Sequence, residues 1–136
     1  MSPQSLRIGA GDVYVGILIA GYAHPDVAEP EGMDLLECSV RAVAPPVDAN
    51  FPVEIRIDEL RSLRSYLAEI NSGNGPSASF AISGGIFELS FAPSRRGPVL
   101  CAVRLKSIEA SHVRLEYMIT LEPEEITRLL GDLSAF

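Results

Sequence analysis

Tryptophan is missing from this 136-residue chain, and histidine and cysteine occur only twice each. That scarcity removes most of the ligands and nucleophiles on which metal and thiol chemistry depend. Cys38 and Cys101 lie far apart, outside any CxxC and away from either histidine. Zinc binding and dithiol redox chemistry are therefore not expected. Both cysteines fall on apolar strand faces. The spacing leaves a disulfide open, but the N-terminal stretch Met1–Ser5 has neither the basic region nor the apolar core of a secretory signal. The expectation is a cytoplasmic protein with two buried thiols. No apolar run approaches the roughly 18 residues needed to cross a bilayer. The nearest, Val13 to Ala20, is broken by Gly16 and is of strand length.

Positive charge is also scarce. Eleven basic side chains face eighteen acids, a formal net charge of −7. The deficit is concentrated in residues 1–50, where seven acids meet only Arg7 and Arg41. Such a surface repels phosphate backbones, which argues against nucleic-acid binding. It steers a basic partner toward the N-terminal half.

What the chain does have is ordinary globular composition, 47% hydrophobic and 21% charged. Its length suits a single domain over residues 1–136, able to bury roughly two thirds of the surface its unfolded chain exposes. No internal repeat is visible in the sequence. Period-two stretches predict strands at Asp12–Ile19, Asp34–Val43, Phe51–Ile57, Ala78–Ile82, Ile86–Phe91, Val99–Lys106 and Val113–Leu121. Gly16 interrupts the first of these and reads as a bulge or as a point of close approach. Pro45-Pro46 is expected to end the second. A helix is predicted from Asp58, a good N-cap, to about residue 72, with Leu60, Leu63, Leu67 and Ile70 as its apolar stripe and Gly73 as its C-cap. A second is predicted over 123–133, with Pro123 at its first position and Ile126, Leu129, Leu130 and Leu133 inward. The expected fold is α+β: an antiparallel sheet of about six to seven strands with two helices (about 58–72 and 123–133) packed on it.

Catalytic signatures are absent. There is no GxSxG, P-loop, GxGxxG or HExxH. His24 lies in a Pro-containing loop. His112 follows Ser111, but adjacent residues on a strand point apart and no third group orients the ring. Glu54, Glu88 and Glu116 occupy outward strand positions, interleaved with Arg56, Arg104, Lys106 and Arg114. That pattern describes a mixed solvated sheet face better than an acid/base pair. No enzyme activity, cofactor or metal is expected.

The strongest local feature is an acidic cluster. Asp26, Glu29, Glu31, Asp34 and Glu37 place five acids in twelve residues with no base among them, beside Tyr22 and Met33. The spacing lacks the alternating ligands and central glycine of a calcium loop. Tyr22 with these five acids forms the candidate docking surface for a basic protein, because desolvated charges around an aromatic anchor suit an interface.

From residue 51 the order of elements is distinctive. Phe51-Pro52-Val53-Glu54-Ile55-Arg56-Ile57-Asp58-Glu59-Leu60 runs into a helix carrying Leu63, Leu67 and Ile70. A Gly73-Asn74-Gly75 break, the strands Ala78–Ile82 and Phe87–Phe91, Gly97-Pro98-Val99, two longer strands and an Ile126/Leu129/Leu130 helix follow. Over roughly residues 34–133 this resembles the WapI-family immunity proteins of bacterial contact-dependent toxin systems. The resemblance implies a protein that binds a cognate toxin domain in the producer's cytoplasm and neutralises it by occlusion. It transfers no catalytic residue and no interface position. The alternative expectation is a structural or assembly subunit that self-associates, as a homodimer for instance, through a sheet edge.

Overall fold

The computed structural model describes residues 4–23, 35–73, 75–94, 97–106 and 113–136. Its strands follow the alternation of the sequence, because each strand has one face to bury. β1 (Gln4–Ile8), β2 (Tyr14–Tyr22), β3 (Leu35–Ala44) and β4 (Val47–Arg56) lead into helix α1 (Ile57–Asn71). β5 (Ala78–Ile82), β6 (Phe87–Ala92), β7 (Val99–Lys106) and β8 (Arg114–Leu121) lead into helix α2 (Pro123–Leu133).

The architecture is α+β, but the single sheet of six to seven strands is not what forms. Eight strands divide into two antiparallel sheets of four, ordered β1-β2-β3-β4 and β5-β6-β7-β8. One strand, β1, has no counterpart in the sequence reading: its apolar signal is only Leu6 and Ile8, both buried. The element order of the first half therefore recurs in the second, a repeat of topology without a repeat of sequence. Helix α1 sits where the polypeptide leaves one sheet for the next. Alternation reports which face of a strand is buried and not which strand lies beside it, so the division had no local signature.

Two boundaries moved as well. Pro45-Pro46, expected to end a strand, is a two-residue turn joined by a cis peptide bond, and it makes β3 and β4 a hairpin ten residues long on each arm. Helix α1 begins one residue before Asp58, which lies in the first turn instead of capping it. Gly73 follows the helix at φ 88°, as expected of a C-terminal stop. Helix α2 starts at Pro123 as predicted.

The inner faces of both sheets and both helices contribute to a single buried cluster. Leu60, Leu63 and Leu67 of α1 and Ile126, Leu129 and Leu133 of α2 are among its most enclosed members. The helices pack on each other, and each also meets the first strand of the opposite half: α1 touches β5 and α2 touches β1. At the end of α1, Tyr66 makes tilted contacts with Phe80 and Phe91 and donates from its hydroxyl to the Pro76 carbonyl. Cys38 and Cys101 are free and buried. No described helix is long and apolar enough to cross a membrane.

Candidate functional site

The acidic cluster belongs to the connection from β2 to β3. Its neck is closed by Ala23, whose amide donates to the Leu35 carbonyl at 2.9 Å. Asp26, Glu29, Glu31 and Asp34 lie outside the described residues, as do His24, Ser111 and His112. The two described members are separated by the pleat. Glu37 pairs with Gly21 and points outward, whereas Tyr22 pairs with the buried Leu36 and packs against the core. Tyr22 therefore belongs to the packed end of β2, and Glu37 is the exposed member of the pair.

The β3–β4 hairpin gives Glu37 a neighbour that the sequence reading did not assign to it. Counting outward from Pro45-Pro46, register places Glu37 directly opposite Glu54. Both are exposed, and among the described residues neither is closed into an ion pair. Directly opposed like charges on a sheet destabilise it. The sequence carried this signal in the two-residue turn, once Pro45-Pro46 is taken as a hairpin centre.

Beside that pair an open cleft of about 650 Å³ runs along the edge of β4. Glu37, Glu54, Arg56, Glu59, Ser83 and Gly84 are among the residues that border it. Its far wall is the short turn Ser83–Gly85 between β5 and β6. Glu59 ties this wall to the helix start, accepting from the Arg56 amide at 2.9 Å and from the Ser83 amide at 3.2 Å. Three carboxylates and one guanidinium thus frame the cleft. Cys38 lies at its floor, its thiol pushed up to about 12 by burial, with the backbone of Ile55 acting in the opposite direction. Burial alone lifts Cys101 to about 12. In both cases burial disfavours the thiolate form.

The other carboxylates are accounted for differently. Glu88, Arg104 and Glu116 form one row across β6, β7 and β8. Arg104 contacts both acids at 3.2 Å. The arginine is shared between the two acids, and Glu54 belongs to the other sheet. Among the described residues no group of three or more His, Cys, Asp or Glu side chains is arranged to hold a metal ion. What the cleft offers is an excess of negative charge, three carboxylates to one guanidinium.

No family model matches the chain, and no curated protein sequence matches it.

Proposed function

We propose that this chain is a binding protein of the immunity type, which occludes a cognate toxin domain carrying a basic surface. The observation that carries the reading is the Glu37–Glu54 pair, two unneutralised carboxylates held opposite each other at the cleft and at the root of the acidic connection. A fold that only needed solubility gains nothing from opposing them. A lysine or arginine from a partner relieves the repulsion and gains charge-assisted hydrogen bonds. On this reading the chain works in the producer's cytoplasm, catalyses nothing and requires no cofactor. The acids at 26, 29, 31 and 34 add to the negative charge of the same stretch of sequence.

The test is co-expression with any toxin domain found encoded beside the chain's gene. Wild type should restore growth, and Glu37→Lys with Glu54→Lys should slow association about tenfold or more at low salt, an effect that fades as salt is raised. An unchanged association rate in the double variant, at unchanged melting temperature, would place the interface elsewhere.

A second reading, self-association, is favoured by one specific surface. On the outer face of the second sheet, Leu100 and Met118 are 43% and 55% exposed. They pair with Thr120 and Ala102, so two adjacent rows carry no charge. A second copy, equally acidic, meets least repulsion there. Light scattering separates the readings: a dimer abolished by Leu100→Lys favours this one, and a monomer across the micromolar range removes it.

A further inference from the structure

Gly16 lies in the middle of β2, yet the fold gives no reason for a glycine there. Its backbone is not in the left-handed region, and the only register shift in the β2–β3 pair falls between Ile19 and Gly21. A Cβ at position 16 would meet its nearest neighbours, Tyr14 Cε2 and the Leu6 carbonyl, at 3.7 and 3.9 Å, ordinary contact distances. Glycine in a strand interior weakens it, and where neither a bulge nor a steric limit explains the residue, close approach by something else remains.

The surroundings indicate what approaches. Register sets Arg7, Gly16 and Arg41 in one row on the outer face, with an arginine on either side of the missing side chain. These are the only basic residues in positions 1–50. Both are held in place. Arg7 stacks on the Tyr14 ring, its Cζ 3.8 Å from the ring centroid, and donates from Nε and Nη2 to the carbonyls of Gly9 and Gly11, each at 2.8 Å. Arg41 is bound bidentately by Asp48 at 3.0 and 2.6 Å. A guanidinium has five N–H donors. Each of these arginines keeps its Nη1 unpartnered among the described residues. The depression between them is about 270 Å³ and is bordered by Ser5, Ser39 and Tyr14.

We propose that Arg7 and Arg41 flank a notch, floored by Gly16, that binds a carboxylate group. Two guanidiniums less the Asp48 charge leave one net positive charge, which matches a single carboxylate. Its planar group lies flat on a backbone that has no side chain, one oxygen toward each anchored arginine. The notch lies on the same sheet as the Glu37–Glu54 pair but four residues away along β3, and the inference does not depend on the toxin-binding reading.

The experiment is an NMR titration of the ¹⁵N-labelled full chain with sodium acetate at constant ionic strength, with chloride as the control anion. Saturating shifts are expected at the Nε–H groups of Arg7 and Arg41 and at the Gly16 amide, at about tenfold lower concentration for acetate than for chloride. Gly16→Val should weaken acetate binding by about tenfold while leaving a dispersed spectrum. Arg7→Gln, which keeps the shape of the notch, should do the same. Coincident acetate and chloride curves, or either variant binding acetate as wild type does, would overturn the proposal. Inorganic phosphate binding about tenfold more tightly than acetate would overturn the carboxylate assignment.

Discussion

The carboxylate of Glu59 spans the two halves of the molecule, one oxygen accepting from Arg56 at the start of its own helix and the other from Ser83 in the turn between β5 and β6. Ser83 is the only described non-glycine residue at positive φ, 54°, and it is followed by Gly84 and Gly85, also at positive φ. A turn so placed is costly by itself and is held from outside. Glu125 occupies the same third position of α2, yet its Oε2 is buried with no partner among the described residues. Two glutamates equivalent in topology thus do different work.

The contrast makes the first prediction. Glu59→Ala should cost about 1–3 kcal/mol, since it removes a cap and strands the Ser83 amide. Glu125→Ala should cost less than about 1 kcal/mol, because the loss of first-turn charge is offset by removal of an unsatisfied oxygen. Urea unfolding of both variants measures the difference, and equal losses would contradict this account.

Glycine substitutions should divide by position. Gly9 stands at φ 104°, and a Cβ there would sit 2.9 Å from the Val13 carbonyl and 3.0 Å from Ile119 Cγ2. Gly9→Ala should destabilise by more than about 1 kcal/mol. Gly16→Ala should stabilise by about 0.5–1 kcal/mol, the usual gain when a strand glycine acquires a tolerated methyl group. Thermal melts of the two single variants should move in opposite directions.

The Glu37–Glu54 pair predicts opposing effects on stability and binding. Glu37→Gln should raise stability by roughly 0.2–1 kcal/mol through relief of cross-strand repulsion. The same change should slow capture of a basic partner. A Glu37→Gln variant that melts lower than wild type would show that the pair does not repel.

Alkaline pH should loosen the fold through its thiols. Burial raises Cys38 and Cys101 to about 12 from an ordinary value near 9.0, so the unfolded chain releases these protons first. Stability is complete below pH 9 and falls as pH rises toward 12, by at most roughly 1.4 kcal/mol per thiol per pH unit. Between pH 8 and pH 9, below the ordinary phenol value of 10.0 above which the half-buried Tyr117 and the buried Tyr66 add the same dependence, the slope of unfolding free energy should flatten in the variant Cys38→Ala, Cys101→Ala. An identical slope in wild type and variant would exclude the thiols as its cause.

Across the hydrogen-bonded joint between the sheets, Tyr117 donates to the Tyr14 carbonyl at 2.8 Å from a half-buried phenol. Tyr117→Phe should cost about 0.5–1.5 kcal/mol with no change in secondary structure. Circular dichroism with chemical denaturation tests it.

Local pattern by itself determined both helices and most strands of this protein. Leucines at helical spacing, Pro123 at a helix start and Gly73 at a helix end act over a few residues, where propensity and capping operate. Alternation likewise identified Glu37 and Glu54 as outward. Tertiary structure decided what these residues meet. Two sheets formed because α1 diverts the polypeptide after β4, and the short β1 gained its place by burying Leu6 and Ile8 beside β2. The register about Pro45-Pro46 set Glu37 against Glu54, and antiparallel pairing brought Arg7 and Arg41 to either side of Gly16. Strand pairing is a long-range choice, governed by which apolar faces can be buried together, and alternation along one strand carries no record of its neighbour.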